Sequence, residues 1–123
     1  MAEHNITGIN GEEIAIKHLT GKSFTIIEKN WRCGRLEVDI IAREGDRLII
    51  AEVKTRTRSF LQSPGEAVNR RKQEFLIRAA NAYIRKMNLD LEVRFDIITV
   101  TFSKKGDHTV QHIENAFYPA VRS

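Results

Sequence analysis

The stretch from Glu37 to Lys54, "EVDIIAREGDRLIIAEVK", limits the fold more than any other part of the chain. It holds two short apolar runs with a Gly45-Asp46 turn between them, the pattern of a β-hairpin. With Gly45-Asp46 as the loop, Glu44 pairs with Arg47, and residue numbers in each later pair add to 91. Asp39 then lies across from Glu52 and Glu37 across from Lys54. A three-residue loop would break this arrangement, because a one-residue slip sends every side chain to the other face.

In the favoured register one face is Val38, Ile40, Ala42, Ile49, Ala51 and Val53, apolar throughout. The other face carries Ile41 and Ile50, and at its open end Glu37, Asp39, Glu52 and Lys54. Directly opposed residues have Cβ atoms about 5 Å apart. Two carboxylates at that distance repel by roughly a few kcal/mol at an effective dielectric of ~20. A divalent cation removes the repulsion, and Mg²⁺ or Mn²⁺ prefers hard oxygen ligands. Lys54 in a cross-strand ion pair with Asp39 or Glu37 is the plainer alternative, and it leaves the cluster net negative.

The rest of the chain supplies a frame for that hairpin. Asn10 followed by Glu13 is a capping-box pattern, Ile9 and Ile14 stand where a hydrophobic staple would, and Gly21 ends the first helix. "FTIIEKNW" reads as a strand, and "TRTRSFLQ" after Lys54 as a basic loop. "SPGE", Ser63 to Glu66, predicts the start of a long helix reaching about Met87, with Asn88 closing it. Its apolar stripe is Val68, Phe75, Leu76, Ala79, Ala80, Tyr83, Ile84 and Met87. "LEVRFDIITVTF" and "TVQHIENAF" read as two further strands, the second at an edge. The expected order is helix, three strands, helix, one or two strands: an α/β fold with one mixed sheet flanked by helices.

At 123 residues the chain fits one domain, with an ordered core expected over about 8–117. No apolar run approaches the ~20 residues of a membrane span, and no signal peptide is recognisable. Cys33 is the sole cysteine, so no intrachain disulfide forms and the cytoplasm is the expected compartment. The net charge of +4 is compatible with a polyanionic partner. His108 and His112 fall in a turn and a strand and read as surface residues. Asp96 reads as an ion-pair partner of Arg94, and Trp31 and Tyr83 as core.

Asp39 followed after twelve residues by Glu52-Val53-Lys54 resembles the active-site signature of the PD-(D/E)XK nuclease superfamily, which includes Holliday-junction resolvases. More closely, the chain resembles the small bacterial YraN-like (UPF0102) family. The segments carrying this likeness are "GEEIAIKHL", "EVDIIA", "EVKTR", "EAV", "RFDII" and "NAF", which together cover nearly the whole chain. Leu36 stands where members of the family usually have glycine.

The resemblance implies a restriction-endonuclease-like core and metal-dependent hydrolysis of phosphodiesters in DNA or RNA, branched DNA included. It implies metal ligation by Asp39, Glu52 and the Val53 carbonyl, with Glu12 as a further acidic ligand or water-positioner, and a catalytic role for Lys54. From the residues themselves, Glu37 reads either as a partner of Lys54 behind the ligands or as a metal contact, and Gln73 as a residue able to face the site. By their position after Lys54 and at the start of the long helix, Arg56, Arg58, Arg70, Arg71 and Lys72 read as a phosphate-binding rim, a solvated basic face being the alternative, with DNA favoured over RNA as the partner and a homodimer allowed. The alternative is a nucleic-acid-binding module that keeps the fold without turnover.

Overall fold

The computed structural model describes residues 10–57 and 68–119. Within them the chain forms α1 (Gly11–Gly21), β1 (Thr25–Cys33), β2 (Leu36–Glu44), β3 (Arg47–Thr57), α2 (Arg70–Met87), β4 (Glu92–Phe102) and β5 (His108–Phe117). The strands make one mixed sheet in sequence order, β1-β2-β3-β4-β5. Neighbours are antiparallel except β3 and β4, which are parallel. A parallel pair needs a crossover, and α2 lies in it.

The helices cover opposite faces. Ile14, Ala15 and Leu19 of α1 pack with Ile40, Ala42, Ile49, Ala51, Ile98 and Val100. Leu76, Ala79, Ala80 and Tyr83 of α2 pack with Ile41, Leu48, Ile50, Phe95 and Ile97. Burial on both faces explains why the central strands read as unbroken apolar runs rather than alternating ones. None of the described helices is long and apolar enough to cross a membrane.

The capping box at α1 is present, with Glu13 N donating to Asn10 Oδ1 at 2.9 Å and Asn10 N donating to Glu13 Oε1 at 3.2 Å. Ile9, the outer half of the expected staple, lies outside the described residues. Asn88 closes α2 in the left-handed region, at φ 54° and ψ 52°. The start of α2 differs from expectation. Ser63 to Glu66 lie outside the described residues, and the described helix begins at Arg70. Asn69 is extended, with ψ 176°, and its Oδ1 accepts from Lys72 N at 2.9 Å. An extended Asn69 rules out one continuous helix from Ser63 to Met87. Val68 is buried all the same, just ahead of the helix.

Two further expectations change. Thr55, Arg56 and Thr57 do not begin a loop, because β3 stays paired with β4 through Thr57–Phe102. Val38 does not share a face with Ile40, since it packs under α2 with Trp31 and Ile41. The crossing occurs where β1 is also irregular: Asn30, between the Lys29–Ile40 and Trp31–Val38 pairs, has φ 52°.

Candidate functional site

The hairpin register is as the turn chemistry predicts, from Glu44–Arg47 through Ile40–Ala51. The ladder then stops, one step short of Asp39 and Glu52. Val53 N donates at 2.8 Å to Asp39 Oδ2, so a carboxylate replaces the backbone acceptor that a continued ladder would supply. β2 and β3 separate at this point, and the opening holds the acidic pair. Glu52 stands at the middle of β3 and Lys54 beyond it toward the carboxyl-terminal end, the side at which open α/β sheets take ligands.

Glu52 is 4% exposed. Its Oε2 lies 3.5 Å from Lys72 Nζ and 3.8 Å from Lys54 Nζ, while its Oε1 is buried with no hydrogen-bond partner. Burial, and then the Asp39 carboxylate beside it, push the Glu52 pKa up to about 7, with Lys72 and Lys54 pulling the other way. When both are ionised, two acceptors face each other and no donor stands between them.

Glu12 is carried toward the same region by the seating of α1. Gly11 is buried against β3, and any Cβ there would overlap Thr55 Oγ1. That close approach sets the first turn of α1 beside the strand carrying Lys54. Glu12 Oε1 accepts from Asn30 Nδ2 at 3.0 Å, so Asn30 links the α1 acid to the stretch of β1 between the Lys29–Ile40 and Trp31–Val38 pairs. Among the described residues no three His, Cys, Asp or Glu side chains converge closely enough to hold a metal ion. The acids that face each other are Asp39 and Glu52, with Glu12 turned to Asn30.

The remaining expected residues divide. Lys72 contacts Glu52 and is part of the acidic site rather than a separate phosphate rim. Arg70 and Arg71 are exposed on the first turn of α2, Arg56 is half-buried on β3, and Arg58 lies outside the described residues. Gln73 turns its amide to the Val68 carbonyl at 3.1 Å and so secures the approach to α2. Glu37 pairs not with Lys54 but with Arg32 of β1, at 3.4 Å. Asn30 escaped the sequence reading altogether. Its only signal was an asparagine inside a strand pattern, where that residue is unfavourable.

A second polar cluster lies on the α1 side of the sheet. Asp96 is 1% exposed and is held by both Nε and Nη2 of Arg94, each at 2.9 Å. It also accepts from Asn115 N at 3.0 Å and lies 2.7 Å from His112 Nε2. His112 is therefore not a surface residue. It is sandwiched between Asp96 and His18, whose Nε2 is 3.1 Å from His112 Nδ1. His108 is exposed, as expected. A cleft of about 410 Å³ adjoins this cluster at the start of β3 and β4, lined by Arg47, Glu92, Arg94 and Glu114 among others. Its charges are paired, Arg47 with Glu92 and Arg94 with Glu114, so the orphaned acid lies elsewhere.

Residues 11–100 match the family model described as "Uncharacterised protein family UPF0102". The chain belongs to this family. It is similar to a "UPF0102 protein" of Phocaeicola vulgatus, 46% identical over 98% of this chain and 99% of the relative. A "UPF0102 protein" of Porphyromonas gingivalis is 47% identical over 95% of this chain and 87% of its own length. Another, from Christiangramia forsetii, is 44% identical over 96% and 98%. All the residues of the opening between β2 and β3 lie inside the span matched by the UPF0102 model.

Proposed function

We propose that the opening between β2 and β3 is the active site of a divalent-metal-dependent nuclease. One observation carries the reading: Glu52, buried beside Asp39, has an oxygen with no donor to bond. A protein selected only to fold gains nothing from that arrangement, whereas a hard cation would satisfy the orphaned oxygen and remove the repulsion. Two carboxylates suit Mg²⁺ or Mn²⁺, which commonly take one or two carboxylates and complete their shells with water and substrate phosphate. The Val53 carbonyl is the third protein oxygen in this reading. The likeness of Asp39 and Glu52-Val53-Lys54 to the PD-(D/E)XK signature supports it independently.

A divalent cation bound there would neutralise charge on the phosphate and lower the pKa of a coordinated water. The chain's own groups account for the rest. Asp39, anchored by Val53 N, keeps one carboxylate oxygen fixed. Lys54 offers a point charge to the non-bridging phosphate oxygens and a donor to orient the attacking water. Lys72 favours the ionised form of Glu52 that ligation requires.

The test is cleavage of a panel of labelled linear, single-stranded and branched DNA and of RNA, with Mg²⁺ or Mn²⁺. Cutting that disappears in Glu52→Gln and Lys54→Ala proteins is the expected result. No cutting by the wild type of any substrate, or equal cutting by the variants, would overturn the reading. A non-catalytic binding module is the second reading. It is favoured by the two ammonium groups already within 4 Å of Glu52, which can stabilise the acid without a metal. It predicts salt-dependent binding in EDTA that survives Asp39→Ala, with no turnover under any condition.

A further inference from the structure

α2 is strongly one-signed. Arg70, Arg71, Lys72, Arg78, Arg85 and Lys86 face a single acid, Glu74, within Arg70–Met87. Its first turn holds no acidic residue and three bases, although the positive end of a helix dipole favours acids there. The buried stripe of this helix is Leu76, Ala79, Ala80 and Tyr83. On its outward side Arg71, Phe75, Arg78 and Arg85 are exposed and recur at helical spacing. Phe75 is 38% exposed, with the Arg71 guanidinium 6.0 Å and the Arg78 guanidinium 5.0 Å from its ring centroid. An open aromatic ring between two cations is a poor choice for a face that meets only water. The same helix also reaches the acid pair, through Lys72 on its sheet-facing side, so the strip and the site share one element.

We propose that the outward face of α2 binds an unpaired strand of nucleic acid, with its phosphates along Arg71, Arg78 and Arg85 and a base against Phe75. The charge sets the class of partner. The aromatic sets its form, because a base inside a duplex is stacked on its neighbours and has no open face for a side chain on a convex helix. An unpaired strand offers phosphate and base together, and stacking on aromatics is the sequence-tolerant way proteins hold such strands. This inference rests on the nucleic-acid reading of the site but not on hydrolysis.

Fluorescence anisotropy of a labelled 20-nucleotide single-stranded DNA and of its duplex, in EDTA, separates the two questions because no cleavage can occur. The single strand should bind more tightly than the duplex. Phe75→Ala and Phe75→Leu should each weaken single-strand binding about fivefold or more and leave duplex binding unchanged. Arg71→Gln and Arg78→Gln should each reduce the salt slope by about 0.7, while Lys17→Gln, an exposed charge on α1, should not weaken binding comparably. Unchanged melting temperatures exclude misfolding of the variants. Duplex bound more tightly, Phe75 variants binding like wild type, or Lys17→Gln weakening binding as much as Arg78→Gln would each overturn the proposal. A protein that binds in this pattern but never cuts would refute the nuclease reading alone. One that cuts normally with Phe75 and Arg78 replaced would refute this proposal alone.

Discussion

Two buried carboxylates stand in neighbouring strands of this sheet, and they are treated in opposite ways. Glu52 of β3 and Asp96 of β4 are one register step apart, since Asp96 pairs with Ala51. Both are almost fully buried. Asp96 receives two bonds from Arg94, one from the Asn115 amide and a contact with His112. Burial alone would raise its pKa, but the His112, Arg94 and Asn115 bonds outweigh burial and hold it below the usual carboxylate range. Glu52 has two ammonium groups near one oxygen, nothing on the other, and a second carboxylate beside it. Asp96, with its lone pairs used, holds strands together, whereas the unsatisfied oxygen of Glu52 is what the proposed metal site rests on.

The sharpest way to break this comparison is to remove each acid in turn. Asp96→Ala leaves the Arg94 guanidinium buried without its bidentate partner and strands the Asn115 amide at the β5 irregularity, where φ is 55°. Removing one member of a buried pair costs about 3–5 kcal/mol, and urea denaturation should show a loss of that order. Glu52→Gln removes the repulsion with Asp39 and should cost under about 1 kcal/mol, or stabilise slightly, while abolishing any metal-dependent cutting. Equal destabilisation by the two substitutions would erase the distinction.

A second test uses pH, because the two acids act on stability with opposite sign. Glu52 has its folded pKa raised from 4.5 to about 7, so between those values the folded protein holds a proton that the unfolded chain has lost. Stability therefore falls as pH rises from 4.5 to 7, by up to about 3 kcal/mol, and levels off above. Glu52→Gln should flatten that slope. Asp96 has its folded pKa lowered from 3.8, so its contribution is fully present above 3.8 and is lost as pH falls through the folded value. Denaturant midpoints from pH 3 to 8 should show the first slope vanish in Glu52→Gln while the acid-side loss persists. A wild-type curve flat between pH 4.5 and 7 would mean that Glu52 is not the proton-binding acid.

Much of this site is legible in the sequence, and what is not has a common cause. The hairpin register was legible because Glu44-Gly45-Asp46-Arg47 fixes a two-residue turn locally and the count follows from it. The capping box at Asn10 and the left-handed Asn88 are local in the same way. The end of the ladder was not legible, because it depends on a side chain, Asp39, replacing a backbone acceptor for Val53. Nor was the crossing of Val38, which accompanies the irregularity at Asn30 in a different strand. His112 reads as a surface residue by alternation along an edge strand. It is buried because Asp96 and His18, sixteen and ninety-four positions away, close over it. Lys72 reads as one base of a rim, and only the docking of α2 reveals its acid. Local chemistry is written in short segments, whereas pairing between distant polar groups is decided by packing.

The smallest effect tests where the site ends. Glu37 is two residues from Asp39 and, by extrapolated register, across from Lys54, so sequence alone would include it. Its carboxylate is instead 3.4 Å from Arg32 Nε, with side chains 40% and 73% exposed. Exposed pairs of this kind contribute about 0–1 kcal/mol, because solvent screens the charges and ordering two long side chains offsets the attraction. Glu37→Ala should therefore shift the urea midpoint barely beyond error and leave cutting within about twofold of wild type. It should also leave the pH 4.5–7 slope intact, since Glu37 is not among the groups that shift Glu52. If Glu37→Ala slowed any cutting as much as Lys54→Ala, Lys54 would have to be positioned from β2 as well as β3. The acid that matters would then no longer be identified by its unsatisfied oxygen alone.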